Sequence, residues 1–355
     1  MNLDFGSYPV RLTCSPEKGR YFLAKSDIKV GEVVLKCLPL ATAPFDNHKK
    51  RYCYTCNLYN SSSAFSYHCV SCDQAYFCSL ECYKNDSNVL AKHELICNIS
   101  RKIATWRADK HMKSVIRLLV QILLEYLCEE KNDDNEPKND ILRNYFKDFL
   151  LLKSHYSDWS TNLKQDWMKH KKFLLSIFKS SNLIQENIEF EEFLHMISRI
   201  ESNGFGMYYQ SKGREILFGR AIYPFASFFN HSCDANCDAL QPNYKGENNQ
   251  VDNANSEGCI AIESVQTDIN LNTLIKKKEI FRKVEFIALH NIKEGEELTI
   301  SYIEDTHSPL QARRQKLMND YYFLCKCDRC KSEETKINGK RFKGLKKYRG
   351  NKEFQ

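Results

Sequence analysis

Residues 219–237 read Gly219-Arg220-Ala221-Ile222-Tyr223-Pro224-Phe225-Ala226-Ser227-Phe228-Phe229-Asn230-His231-Ser232-Cys233-Asp234-Ala235-Asn236-Cys237. An apolar, aromatic run ends abruptly in Asn-His-Ser-Cys. Polar groups at the end of a buried segment either satisfy backbone atoms or bind something. For a lone Asn-His the structural use is the ordinary one. Farther along, Gly295-Glu296-Glu297-Leu298-Thr299-Ile300-Ser301-Tyr302 has the pattern of a turn followed by a strand. It places Leu298, Ile300 and Tyr302 on one face.

The cysteines supply a second kind of information. The 355-residue chain carries 16 of them, seven between Cys53 and Cys97 and three between Cys325 and Cys330. Scattered pairs in a secreted chain would suggest disulfides, but the first residues have neither a basic nor an apolar leader pattern, and clustering of this kind points to metal. The first cluster runs Cys53-x2-Cys56, Cys69-x2-Cys72, Cys78-x3-Cys82 and His93-x3-Cys97. Each close pair offers two ligands from one knuckle or helical turn, so the eight together suffice for two closed tetrahedral zinc sites. Buried thiols acting as small hydrophobes would need no such spacing. The segment is small and loop-rich, so metal is expected to be part of its folding energy. His68 is out of step with the pairs and reads as a surface histidine. The second cluster, Cys325-x-Cys327-x2-Cys330, supplies only three ligands, and Cys233, Cys237 and Cys259 are candidates for the fourth. Three thiolates make a poor Lewis acid, so a third structural zinc is expected.

The ligand order of the first cluster, with Tyr76-Phe77-Cys78-Ser79-Leu80-Glu81-Cys82 at its third pair, resembles the MYND zinc finger. Lys18-Gly19-Arg20, Asn203-Gly204-Phe205, Asn230-His231-Ser232-Cys233, Gly295 to Tyr302 and the final Cys-x-Cys-x2-Cys follow in an order that resembles the SET domain of protein lysine methyltransferases, with MYND inserted as in the SMYD family. The resemblance covers nearly all of residues 10–330. It implies an α+β fold: the SET-domain β fold of small sheets with a pseudoknot, an inserted MYND finger, a helical insert and a post-SET zinc motif. The implied organisation is residues 1–50 as the first part of a split SET domain, 51–97 as the finger, 98–200 as a helical insert, 201–305 as the SET core with a polar insertion at 241–258, 306–330 as the post-SET motif and 331–355 as a basic tail. A short form is implied, ending where animal relatives continue into a helical repeat domain.

The same resemblance assigns residues. Cys53, Cys56, Cys78 and Cys82 would bind one zinc, Cys69, Cys72, His93 and Cys97 a second, and Cys233 would join Cys325, Cys327 and Cys330 around a third. Lys18, Arg20, Asn203, Asn230, His231 and Phe323 would contact S-adenosylmethionine together with Tyr302, the catalytic residue, whose hydroxyl would orient the amine and methyl. Tyr321 would wall the lysine channel. The chemistry suits these residue types, since attack by an amine on a sulfonium methyl needs geometry, a dry site and a neutral amine, and aromatic faces also attract the sulfonium. The implied activity is S-adenosylmethionine-dependent protein-lysine N-methylation. The alternative is a partner-binding MYND–SET scaffold with a degenerate or unused site. Two departures bear on this: Tyr21 stands where the family has a second glycine, and Leu90 where it usually has Trp.

Apolar residues make up 42% of the chain and charged residues 27%, a globular composition. No apolar run approaches the ~18 residues of a membrane span. The net charge of +7 falls almost wholly in residues 331–355, so nucleic-acid contact is an expectation for the tail alone. Helices are expected over 106–130, 141–155, 163–178 and 190–202. The expected partners are a protein with a target lysine and a peptide at the finger; the expected state is a monomer inside the cell, cytoplasmic or nuclear.

Overall fold

A computed structural model describes residues 5–84, 87–131, 146–184, 188–241 and 283–338. The polar insertion beyond Gln241, Cys259, residues 132–145 and the basic stretch from 339 lie outside the described residues. The chain divides into two compact units. One gathers Met1–Leu35, Phe228–Ala239 and Phe286–Gln355; the other holds Lys36–Ser227 with Leu240–Glu285.

In the first unit, β1 (Val10–Ser15) and β2 (Gly19–Ala24) form a hairpin in register from Val10↔Ala24 to Ser15↔Gly19. Gly19 takes the left-handed backbone that the turn requires, at φ 67°. β2 then pairs antiparallel with β12 (Glu297–Ile300), and β12 pairs parallel with β9 (Asn230–His231), giving the sheet order β1-β2-β12-β9. Alternation decides which face is buried: Leu298 and Ile300 turn inward, as do Phe22 and Ala24. Phe22 lies edge-on to Phe5, Phe228 and Phe229, with ring centroids 5.1, 5.9 and 5.0 Å away, and Phe229 stacks on Phe286 at 4.4 Å. Each such ring contributes roughly 2 kcal/mol of burial. A second small sheet has the order β10-β11-β3, from Cys237–Leu240, Val284–Ala288 and Val33–Cys37. The unit ends in a helix Leu310–Tyr321 and another over 328–338, joined by Arg313–Glu333 at 2.8 Å and Arg314–Glu334 at 2.9 Å. Residues 331–338, grouped with the tail on sequence, therefore continue a helix.

In the second unit, β4 (Ala41–Pro44), β8 (Arg214–Ile222) and β7 (Gly204–Ser211) form a sheet in the order β4-β8-β7. Gly219 is where its strands crowd: a Cβ there would come within 2.4 Å of the Met207 Cε and 2.7 Å of the Ala43 carbonyl. The finger contributes β5 (Tyr67–His68), β6 (Tyr76–Phe77) and the short helix α1 (Leu80–Lys84). The helical insert follows as α2 (Ser87–Thr105), α3 (Lys110–Lys131), α4 (Phe146–Leu150), α5 (Thr161–Lys169), α6 (Lys171–Lys179) and α7 (Phe190–Asn203), which makes Leu310–Tyr321 α8 and 328–338 α9. α3 is buried on nearly every side between Val115 and Leu124 because it packs on α2, α7 and β4 alike.

Three helix expectations change in detail. The stretch 106–109 is a break rather than a helix start, with Trp106 buried against Phe173 and donating to His170 Nδ1 at 3.3 Å. The expected helix 163–178 is two, broken at His170, and α5 starts earlier because Ser160 Oγ caps the Leu163 amide. Of 141–155, only 146–150 is helical among the described residues.

Candidate active site and zinc centres

The parallel pairing of β9 with β12 lays segment 229–233 beside segment 299–303, so the two polar motifs converge although the sequence separates them widely. Tyr302 follows the last residue pair of β12. Its hydroxyl donates to the Phe229 carbonyl at 2.6 Å, its amide donates to His231 Nδ1 at 3.0 Å, and its carbonyl accepts from the Tyr321 hydroxyl at 3.1 Å. The Tyr321 ring lies 4.9 Å from that of Tyr302, Phe323 stands edge-on at 6.3 Å, and His231 lies 5.4 Å away. Burial, with Tyr321 and Glu297 nearby, pushes the Tyr302 phenol well above its ordinary value, so at neutral pH it is a hydrogen-bond donor and not a base. Burial also holds the His231 imidazole down, to about 4.

Beside this aromatic group lies a polar one. Glu297 at the start of β12 receives Lys18 Nζ on one carboxylate oxygen at 2.5 Å and Asn230 Nδ2 on the other at 3.0 Å. The Lys18 ammonium also lies 5.3 Å from the centre of the Tyr21 ring. The Arg20 guanidinium sits over the face of Phe228 at 4.6 Å. Asn236 ties down the strand between these groups: its side-chain oxygen accepts from the Thr299 amide at 2.8 Å, and its amide donates to the Glu297 carbonyl at 2.8 Å.

Three groups of cysteine and histidine bring their ligand atoms within 4.8 Å of one another: Cys53, Cys56, Cys78 and Cys82; Cys69, Cys72, His93 and Cys97; and Cys233, Cys325, Cys327 and Cys330. Sulfurs 2.3 Å from a central zinc lie about 3.8 Å apart in a regular tetrahedron, and a sulfur and an imidazole nitrogen about 3.6 Å apart. The structure has Cys56–Cys78 at 3.6 Å, Cys78–Cys82 at 3.5 Å, Cys69–Cys97 at 3.7 Å, Cys233–Cys325 at 3.9 Å and Cys233–Cys330 at 3.5 Å, with Cys72 Sγ 3.5 Å from His93 Nε2. These spacings are far too long for disulfides and fit zinc. Each group has four ligands, which describes closed structural sites.

A family profile for the SET domain matches residues 19–303. The chain belongs to the SET domain family. Among its relatives, a SET and MYND domain-containing protein of Dictyostelium discoideum is 26% identical over 92% of this chain and 61% of its own length. A second from the same organism is 24% identical over 93% of this chain and 83% of its own. The N-lysine methyltransferase SMYD2 of Homo sapiens is 26% identical over 90% of this chain and 60% of its own length. The chain thus spans about 60% of the first and of the human protein.

Within this SET domain protein, Lys18, Arg20, Asn230, His231, Tyr302, Tyr321 and Phe323 all belong to the first compact unit. Asn203 belongs to the other, at the end of α7, where its amide donates to the carbonyls of Arg199 at 2.9 Å and Lys153 at 3.2 Å. The open choice among three fourth ligands falls to Cys233. Cys237 is buried in β10 apart from the group. Tyr21 occupies ordinary strand backbone opposite Thr13, and it is Gly19 that has the positive φ. Leu90 packs against the finger's core. Glu297 and the Phe229 carbonyl are functional groups that the residue-by-residue reading missed. A main-chain carbonyl has no side-chain signal, and Glu297 stood in view only as part of a turn-strand motif. No helix among the described residues is long and apolar enough to cross a membrane.

Proposed function

We propose that this chain transfers a methyl group from S-adenosylmethionine to a lysine side chain of a protein. The observation that carries the reading is the buried Tyr302 phenol aimed at the Phe229 carbonyl at 2.6 Å within walls made by Tyr321, Phe323 and His231. Relatives named N-lysine methyltransferase support it.

When bound, S-adenosylmethionine supplies a methyl on a cationic sulfur: the S–CH3 bond breaks as the N–CH3 bond forms, leaving a neutral thioether. The residues present suit such a group, since an ammonium (Lys18), an amide (Asn230) and aromatic faces (Phe323, His231) stand close to the phenol. Lys18 and Arg20 would hold its carboxylate end, Asn230 and the His231 main chain its other polar groups, and Phe323 its adenine. The aromatic walls exclude water and favour the neutral amine. Tyr302 is protonated and gives its hydrogen to the Phe229 carbonyl, so its oxygen lone pairs, with that carbonyl, accept from the amine and fix its approach. The lysine's proton is therefore left to bulk water as the amine enters the dry channel, rather than to the tyrosine. The zinc groups are structural, and their thiolates suit a reducing compartment, which favours a protein that works inside the cell.

A second reading, a partner-binding scaffold with an unused site, is favoured by one observation: Glu297 already holds both the Lys18 ammonium and the Asn230 amide. Calorimetry of S-adenosylmethionine binding to the zinc-loaded protein, with Asn230→Ala alongside, separates the two. Micromolar-range binding weakened in the variant supports the enzyme, and its absence in a folded, metal-loaded protein supports the scaffold. A screen for methyl transfer to lysate proteins then tests the substrate class.

A further inference from the structure

Around the third cysteine group, besides the Cys327 amide that donates to Cys325 Sγ at 3.5 Å, stand two side-chain nitrogen donors that are not ligands. Cys233, Cys325 and Cys330 are buried, and four thiolates around a divalent cation leave two formal negative charges there. Buried charge of that kind is costly unless hydrogen bonds compensate it. Arg313 is only 1% exposed. Its Nη2 lies 3.7 Å from Cys330 Sγ and 2.8 Å from Glu333, and its Nη1 donates to the Ser308 carbonyl at 2.5 Å. Its Nε has no hydrogen-bond partner among the described residues. A guanidinium so deeply buried and incompletely paired would be unfavourable against an apolar wall, but it is favourable beside thiolates.

The second donor is His231, and its tautomer follows from geometry. A backbone amide can only donate, so the Tyr302 amide 3.0 Å from Nδ1 leaves that nitrogen without a proton. The neutral ring therefore carries its hydrogen on Nε2, which lies 3.3 Å from Cys233 Sγ. One ring thus holds a metal-ligand sulfur with one nitrogen and the Tyr302 main chain with the other. Tyr302 is fixed on its remaining sides by Phe229 and Tyr321, so displacement of its amide moves its hydroxyl.

We infer that Arg313 and His231 are the outer side-chain hydrogen-bond donors of the third metal site, and that His231 is a positioning residue through which that site sets the place of Tyr302. Donors of this outer kind commonly change metal affinity by roughly 10–100-fold. The metal part of the inference stands apart from the methyltransferase reading, and only the importance given to Tyr302 rests on it.

The test uses the full chain loaded with 113Cd at all three sites. The spectrum should show two all-sulfur resonances and one from the site with His93. His231→Phe keeps an aromatic ring but removes both hydrogen bonds. It should move one all-sulfur resonance, leave the other two in place and speed metal loss from that site to a chelator by at least about tenfold. His231→Gln, which retains a donor and an acceptor, should restore part of the shift. In unaltered protein with 15N-labelled tyrosine, replacing zinc by cadmium should move the Tyr302 amide resonance, identified by its loss in Tyr302→Phe. An unmoved 113Cd resonance in His231→Phe, or a Tyr302 amide indifferent to the metal, overturns the inference. Should His231→Phe not fold, the metal exchange in unaltered protein and the 113Cd spectrum of Arg313→Lys decide it: a Tyr302 amide that stays put or an Arg313→Lys spectrum matching the parent overturns it. None of these readouts needs methyl transfer, so a failed activity assay leaves them intact.

Discussion

Tyr302 and Phe229 meet side chain to main chain: a phenol that burial keeps protonated donates to a carbonyl 2.6 Å away. Phe229 is itself held by stacking on Phe286 and by its edge-on contact with Phe22. The acceptor therefore belongs to the core of the unit and not to a loop, so the hydroxyl is aimed by packing that no ligand has to create.

Tyr302→Phe removes that donor while leaving the ring. Turnover should fall by at least about a hundredfold, in the range seen for losing one aligned hydrogen-bonding group at a reacting centre, while S-adenosylmethionine affinity stays within about threefold. Single-turnover methylation and calorimetry on the same preparation check the pair. Equal methylation by the variant would remove the role assigned here. The orphaned Phe229 carbonyl should also lower stability by about 1 kcal/mol, readable in urea.

Asn230→Ala removes one of two hydrogen bonds to Glu297 and an amide expected at the cofactor. Binding should weaken about tenfold or more, the worth of one to two hydrogen bonds. Calorimetry showing unaltered affinity would mean that Asn230 serves only to hold Glu297.

Metal removal should unfold the finger before the rest. A buried cluster within it consists of Cys53, Cys56 and Cys82 with Ala75 and Phe77, so most of that cluster is ligand. The third group is instead packed with Ile303, Leu310 and Leu317. Titration with a chelator should expose residues 53–97 to limited proteolysis first, and uniform digestion of the chain would contradict this order.

Glu201 offers a pH test away from the site. Burial opposes its ionisation, but His111 at 2.8 Å and Arg220 at 3.2 Å outweigh that and hold its carboxyl below the ordinary value of 4.5. A lowered folded value stabilises the protein above pH 4.5, and that contribution is lost as pH falls from there through the folded value. Glu201→Gln should cost about 1 kcal/mol at pH 7, as expected for hydrogen bonds to a partly exposed charged group, and less at pH 4. Urea midpoints at the two pH values would check it, and a pH-independent difference would count against the pairing.

Eleven of the twelve zinc ligands were legible through short spacings, which a closed tetrahedral site needs, whereas spacing left Cys233, Cys237 and Cys259 open and only the family resemblance pointed to Cys233. Tyr302 and the Asn230-His231 pair were legible through their order along the chain. Glu297 escaped because its partner Lys18 lies 279 residues away and only the sheet brings them together. Arg313 escaped for a related reason, since one arginine in a basic helix looks like any other until burial singles it out. The break at His170 had no proline or glycine to announce it, and it follows from how α5 and α6 pack.

The strand register also orders events in time. Phe22 pairs with Leu298, so the N-terminal hairpin has no neighbour for its inner edge until the chain has been synthesised past residue 300. The segment 36–227, which contains both finger sites, is complete long before. On the ribosome the zinc-binding half can therefore mature first, while β1 and β2 wait as an open edge. Non-local pairing of this kind slows folding, and a chain halted after residue 227 but before Tyr302 would hold a finished finger and a tyrosine centre that has never been assembled.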